Sequence, residues 1–214
     1  MEIKINPFTR RNKKGKIARV RAFSRKARQK LAKKRKPNPN IIGEGKNGRV
    51  VKAGFGKVRK EMTAYGRAKK VLLLRKNEAD IQKRAASLKI APKVYSTSKD
   101  GAKITMERVK GETLEKRLAR TKSPKVQKSI GYSTGKTFKT LHENQIIHGD
   151  SHLENIYTTD RSGKKIKIID YGLAGTRNRP LKKSERLKDY KKLHKRSAKY
   201  PKFQEGFREG YGQI

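Results

Sequence analysis

The sequence predicts an α+β protein in which a strand-rich half precedes a helix-rich half with a β-hairpin set into it. Three observations carry this prediction. Short apolar segments between glycine turns follow one another from Ile41 to Val109. Apolar residues at helical spacing, opened by a Ser-Pro start, run through 123–144. Finally, "NIYTT" (155–159) and "KKIKIID" (164–170) flank the turn "DRSGK" as the two arms of a hairpin.

Taken in order, residues 1–40 hold 16 of the 60 Lys and Arg and a single acidic residue, Glu2, a net of +15. The run "RRNKKGKIARVRAFSRKARQKLAKKRKPNPN" reads as a basic arm, and its closing "PNPN" breaks helix and sets a boundary near Asn40. From Ile41, "NIIGEGKNGRVVKAG" and "GKVRKE" are short strands separated by glycine turns. "NEADIQKRAASL" (77–88) is helical, with Asn77 as its N-cap and Glu78, Ile81, Ala85 and Leu88 on one face. The preceding "VLLLRK" (71–76) is a further strand candidate, and "APKVYS" and "AKITMERV" are two more. In the long helix that follows, Ser123 is the cap, Pro124 takes the first position, and Val126, Ile130, Phe138 and Leu141 fall on the buried side. A basic helical tail (196–214) closes the chain, with Phe203, Phe207 and Tyr211 spaced i, i+4, i+8.

Composition narrows the function classes. Of 214 residues 32% are hydrophobic and 36% charged, so part of the chain lies outside any core. A formal charge of +42 demands an anionic partner, nucleic acid or nucleoprotein first and an anionic membrane surface second. The absence of cysteine excludes disulfides and Cys-based zinc sites. No apolar run approaches the roughly 20 residues that cross a bilayer, and "MEIKINPFTR" lacks an apolar signal region. The expectation is a soluble intracellular protein, or one packaged with nucleic acid in a particle.

Two stretches carry chemistry. "GEGKNGRV" supplies Gly43, Gly45, Gly48 and Val50 between two strands, a pattern that lets backbone approach phosphates closely. It is neither a Walker loop nor a dinucleotide fingerprint, since Arg49 follows Gly48 and a strand follows in place of a helix. "GYSTGKT" (131–137) mimics a Walker loop, but its glycines are one residue too close and lie within the helix pattern. In "IIHGDSHLEN", Asp150 and Asn155 have D-x-x-x-x-N spacing, and Asp170 opens "DYG" at the end of an apolar strand. Phosphoryl transfer needs one carboxylate to accept the substrate proton and oxygen ligands to hold Mg²⁺ against nucleotide phosphates. Asp150 suits the first role; Asn155 and Asp170 suit the second. His148 and His152 do not share a helix face and have no third ligand, which argues against zinc.

On these residues the chain, over roughly 41–195, resembles a small protein-kinase-like phosphotransferase. "HGDSHLEN" is similar to the catalytic loop H-R-D-x-x-x-x-N, and its H-G-D form is closer to compact atypical kinases. RIO-type kinases, the kinase of the tRNA-threonylcarbamoylation complex, and aminoglycoside and choline phosphotransferases share that form. The resemblance implies a bilobal protein-kinase-like fold, with an antiparallel-sheet N-lobe (41–110) and a reduced, mainly helical C-lobe (111–195). It also implies ATP and Mg²⁺ as cofactors, Met106 in the gatekeeper place, and the backbone of Glu107 and Val109 against adenine. A Lys–Glu pair would hold the α- and β-phosphates. Glu78 is the inward-facing Glu. Lys60, on one strand face with Val58, is favoured as the Lys, while "VLLLRK" is the rival and carries Arg75 where Lys belongs. In "KDYKKLH", Asp189 resembles the helix aspartate that braces the catalytic loop. The chain also departs from the family: no Arg precedes Asp150, and no A-P-E follows "DYG". Both departures point to reduced peptide docking and no activation-loop anchor.

The sequence thus supports an ATP- and Mg²⁺-dependent Ser/Thr protein kinase of compact atypical type, targeted to nucleic acid or nucleoprotein by its basic surface. The alternative is a catalytically silent kinase-like structural protein associated with nucleic acid, as in a virion. A small-molecule phosphotransferase is a weaker third reading, since the reduced helical half leaves little room for a dedicated pocket.

Overall fold

Glycine turns and β-branched residues place five short strands early in the chain, and they pair into one antiparallel sheet. The computed structural model describes residues 9–11, 17–19, 39–45, 48–62 and 69–212. The chain divides into two units, Met1–Pro39 and Asn40–Ile214. In the first, strand β1 (Thr9–Arg11) pairs antiparallel with β2 (Ile17–Arg19).

In the second unit, the sheet contains β3 (Ile41–Gly45), β4 (Gly48–Lys52), β5 (Lys57–Met62), β6 (Val94–Thr97) and β7 (Lys103–Glu107), in the order β3-β4-β5-β7-β6. Helix α1 (Lys69–Ser87) connects β5 to β6. Strand β8 (Glu112–Thr113) leads into α2 (Leu114–Arg120) and then α3 (Pro124–Glu143). Strand β9 (Ile146–Ile147) precedes the hairpin of β10 (Ile156–Thr158) and β11 (Ile166–Ile168), where β10 also pairs with β8. Strand β12 (Gly175–Thr176) returns to β9, and α4 (Lys183–Arg196) and α5 (Pro201–Tyr211) finish the chain. This is the mixed α+β arrangement, strands first and helices after with a hairpin set among them, that the sequence predicts. Among the described residues no helix is long and apolar enough to cross a membrane.

Local signals set several boundaries as expected. Ser123 accepts a hydrogen bond from the Val126 amide, and Pro124, which has no N–H to lose, opens α3. Two expectations fail. Helix α1 begins at Lys69, so Asn77 lies inside it rather than capping it, and "VLLLRK" is helical, not a strand. A four-residue apolar run has no period that separates strand from helix, and its Leu, Arg and Lys are strong helix formers.

Residues 196–214, expected as a basic helical tail, do contain a helix, α5, and its apolar face lies in the core. Phe203, Phe207 and Tyr211 are buried together with Ile130, Phe138 and Leu141 of α3. The glycines of the Walker-like "GYSTGKT" explain the packing. A Cβ on Gly131 would sit 2.1 Å from the Phe203 carbonyl oxygen, and one on Gly135 2.2 Å from that of Phe207. Gly206 and Gly210 of α5 approach the Lys128 and Tyr132 carbonyls just as closely, at 1.9 and 2.0 Å. Four glycines thus let the backbones of two helices touch.

Candidate active site

Strand β5 alternates its side chains, so Val58 and Lys60 face the same side of the sheet. Helix α1 presents its apolar stripe to the core, and Glu78, which shares that stripe, is 1% exposed. The two meet: Lys60 Nζ lies 2.7 Å from Glu78 Oε1 and 2.7 Å from Asp170 Oδ1. Asp170 reaches this position from a left-handed backbone (φ 63, ψ 72), a conformation Asp tolerates better than most residues. The rival segment 71–76 is part of α1.

Around this triad opens a cleft of about 310 Å³, lined among others by Val50, Lys60, Glu78, Glu107, Val109 and Asp170. Gln82, Pro92 and Met106 also line it, and the Gln82 amide donates to the Pro92 carbonyl (3.0 Å) and approaches Met106 Sδ (3.5 Å). The Glu107 N–H is bonded to the Lys93 carbonyl and the Arg108 N–H to that of Gly56. Neither bond uses the Glu107 carbonyl or the Val109 N–H. The Glu107 carboxylate binds Lys167 Nζ at 2.7 Å, tying the strand end to β11.

The catalytic-loop candidates lie between β9 and β10. His148 is buried, and burial holds its pKa below the usual imidazole range, which keeps the ring neutral. Its Nε2 donates to the Ile169 carbonyl (3.0 Å) and its Nδ1 accepts the Asp150 N–H (3.3 Å), so it shapes the loop. Tyr171 of "DYG" packs edge-on against that ring, 5.1 Å between centroids. Asp189 of α4 accepts from the N–H groups of His148 and Gly149, each at 2.8 Å, and from Ser151 Oγ and His142 Nε2. Burial pushes the Asp189 carboxyl up, but the bonds from His142 and Ser151 outweigh this and hold it low. This is the bracing that the resemblance implies.

Gly149 explains the missing arginine. It has φ +77, and a Cβ there would meet the Leu173 carbonyl oxygen at 2.4 Å. The loop packs against the segment after "DYG" too closely for any side chain.

Asn155 Nδ2 donates to the Asp150 carbonyl (3.0 Å) and carboxylate (3.2 Å), and the Asn155 carbonyl accepts from Ile169, next to Asp170. The structure therefore joins Asn155 directly to Asp150, while the side chain of Asp170 is bonded to Lys60 and to the Gly172 N–H. Sequence reasoning missed Lys192, whose Nζ lies 2.7 Å from Asp150 Oδ1 and 3.0 Å from the Gly149 carbonyl. His152 Nε2 stands 2.9 Å from the same carboxylate oxygen. In a chain with 60 Lys and Arg, no local signal distinguishes Lys192. Glu154 is exposed, and among the described residues no three His, Cys, Asp or Glu gather to hold a metal.

The glycine hairpin is described only in part, because residues 46–47 lie outside the described residues. Gly45 pairs with Gly48 across β3 and β4. A Cβ on Gly48 would meet the Glu61 carbonyl oxygen at 2.4 Å, so this glycine serves strand packing as well. At Gly43 a Cβ would find open space.

Comparison with known families agrees with this geometry: residues 38–191 match the protein kinase domain. No curated protein sequence matches the chain. The match runs from the start of the five-stranded sheet through the bracing aspartate, and the chain therefore belongs to the protein kinase domain family.

Proposed function

We propose that the protein is an ATP- and Mg²⁺-dependent Ser/Thr kinase of compact atypical type, brought to nucleic acid or nucleoprotein by its basic surface. The observation that supports it most is the contact of Lys60 with both Glu78 and Asp170 inside one cleft. In this reading Lys60, held by Glu78, positions the α- and β-phosphates. The Glu107 carbonyl and Val109 N–H take the adenine edge, and Val50 and Val58 wall it. The hairpin carrying Gly43, Gly45 and Gly48 covers the phosphates. Asn155 and Asp170 offer hard oxygen ligands of the kind Mg²⁺ prefers, because the Asn155 nitrogen is already engaged and leaves its oxygen available. Bound there, Mg²⁺ would neutralise phosphate charge. Asp150 accepts the proton of the acceptor hydroxyl as that oxygen bonds to the γ-phosphorus and the bond to the ADP oxygen breaks.

The test is label transfer from ATP with Mg²⁺ to protein acceptors, beside an Asp150→Ala control. Transfer by the wild type alone is the expected result. Equal labelling by both, or by neither, refutes the kinase reading. A second reading, a catalytically silent nucleic-acid-associated protein, is favoured by one observation: a charge of +42, beyond what phosphoryl transfer needs. Polyanion binding without any transfer would establish it.

A further inference from the structure

We propose that the exposed lysine row of α4 docks an acidic polypeptide segment, making acidic Ser/Thr sequences the acceptor class; this rests on the reading of Asp150 as the base. Helix α4 buries Glu185, Asp189 and Leu193. Its two carboxylates are spent on that side, Glu185 on Arg177 and Arg179 and Asp189 on the catalytic loop. The outward side holds Lys188, Lys191 and Lys195, all exposed, with Lys192 at its border. Positions 188, 191, 192 and 195 follow i, i+3, i+4, i+7 and form one stripe. Lys192 is the member that touches Asp150. Among the described residues no carboxylate forms an ion pair with Lys188, Lys191 or Lys195. Like charges at this spacing oppose helix formation, so the row is held by packing of the opposite face and is relieved by an anion.

From Lys188 to Lys195 the row runs about 10 Å along the helix. That matches about three residues of an extended chain. A hydroxyl presented to Asp150 would therefore set its neighbours over the lysines. Nucleic acid fits less well. Unpaired bases bind on aromatic platforms, and the aromatic residue of this helix, Tyr190, is half-buried against Phe207. No A-P-E follows "DYG", and α4 places Lys192 directly on Asp150, so this helix lies where an acceptor must approach.

The test uses the full chain and three Ser peptides flanked by Glu, Gln or Lys, with steady-state transfer from ATP. The expected result is at least about a tenfold higher kcat/KM for the Glu peptide than for the Lys peptide, the size of three exposed charge pairs acting together. The difference should lie in peptide KM. The triple variant Lys188→Glu, Lys191→Glu, Lys195→Glu should reverse the preference, and the corresponding triple Gln variant should fall between. Melting temperatures of all three proteins verify folding. Transfer without preference, or a preference that survives charge reversal, overturns the proposal alone. So does a variant that loses affinity for a 20-nucleotide strand yet keeps its peptide preference. Absence of transfer to any peptide by the wild type overturns this proposal and the kinase reading together.

Discussion

Gly135→Ala tests whether α5 is part of the fold. The new Cβ would lie 2.2 Å from the Phe207 carbonyl oxygen and 2.7 Å from the Tyr211 nitrogen, whereas ordinary contact begins at 3.4 Å. The helices must then separate by the difference, 3.4 − 2.2 = 1.2 Å, because the obstructing atoms are backbone and cannot rotate away. Such a shift uncovers part of Phe207 and Tyr211 and stretches the 2.7 Å bond between His142 Nδ1 and the Tyr211 hydroxyl. Ala in place of Gly favours the helix by about 1 kcal/mol. Overpacking against rigid backbone costs about 3 kcal/mol, and the lost hydrogen bond about 1 kcal/mol. The net is a loss of about 3 kcal/mol, or a Tm lower by about 6–12 °C for a unit of this size. Thermal unfolding followed by circular dichroism reads it directly, with Lys139→Ala as the surface control. A raised Tm, the outcome if α5 were a loosely attached tail and propensity alone acted, would refute the packing argument.

Two further outcomes are expected. Because burial lowers the His148 pKa from 6.5, the unfolded chain binds a proton below that pH which the folded chain does not. The stability from His148 is therefore full above about pH 6.5 and falls as pH drops, by at most about 1.4 kcal/mol per unit. Asp189 and Glu185, both depressed, add their losses only below the usual carboxylate range of about 4. Denaturant melts of His148→Gln should show a flatter slope between pH 6.5 and 5, and an unchanged slope would remove His148 from the account. Deleting residues 1–40, which carry 16 basic residues, should flatten the salt dependence of polyanion binding. An unchanged slope in a salt titration would show that the arm makes no phosphate contacts.

Much of the fold was legible because its signals are local. Ser123 and Pro124 declare the start of α3 by capping chemistry, and the register of β10 against β11 follows from two apolar alternations around one turn. The inward position of Glu78 could be read from its place on the stripe of Ile81 and Ala85. "VLLLRK" was misread because four apolar residues in a row carry no period, and only the continuation of the helix through 87 decides them. The burial of α5 was half-legible: Phe203, Phe207 and Tyr211 mark an apolar face, but nothing in them names the partner.

Local chemistry, then, was sufficient for the α+β order and for singling out Asp150, Asn155 and Asp170 as candidates, whereas the choice of Lys60 over the segment 71–76 also drew on the resemblance. Packing alone decided what those candidates touch. Lys60 meets Asp170 across 110 residues of chain, and Lys192 meets Asp150 across 42. Ion pairs form wherever folding leaves charges a few ångströms apart, and sequence separation carries no trace of that distance. Glycines behave the same way. Gly131 and Gly135 look like a phosphate loop in isolation, and Gly149 like a lost arginine. Each is explained only by the backbone that approaches it, Phe203 and Phe207 in α5 and Leu173 after "DYG".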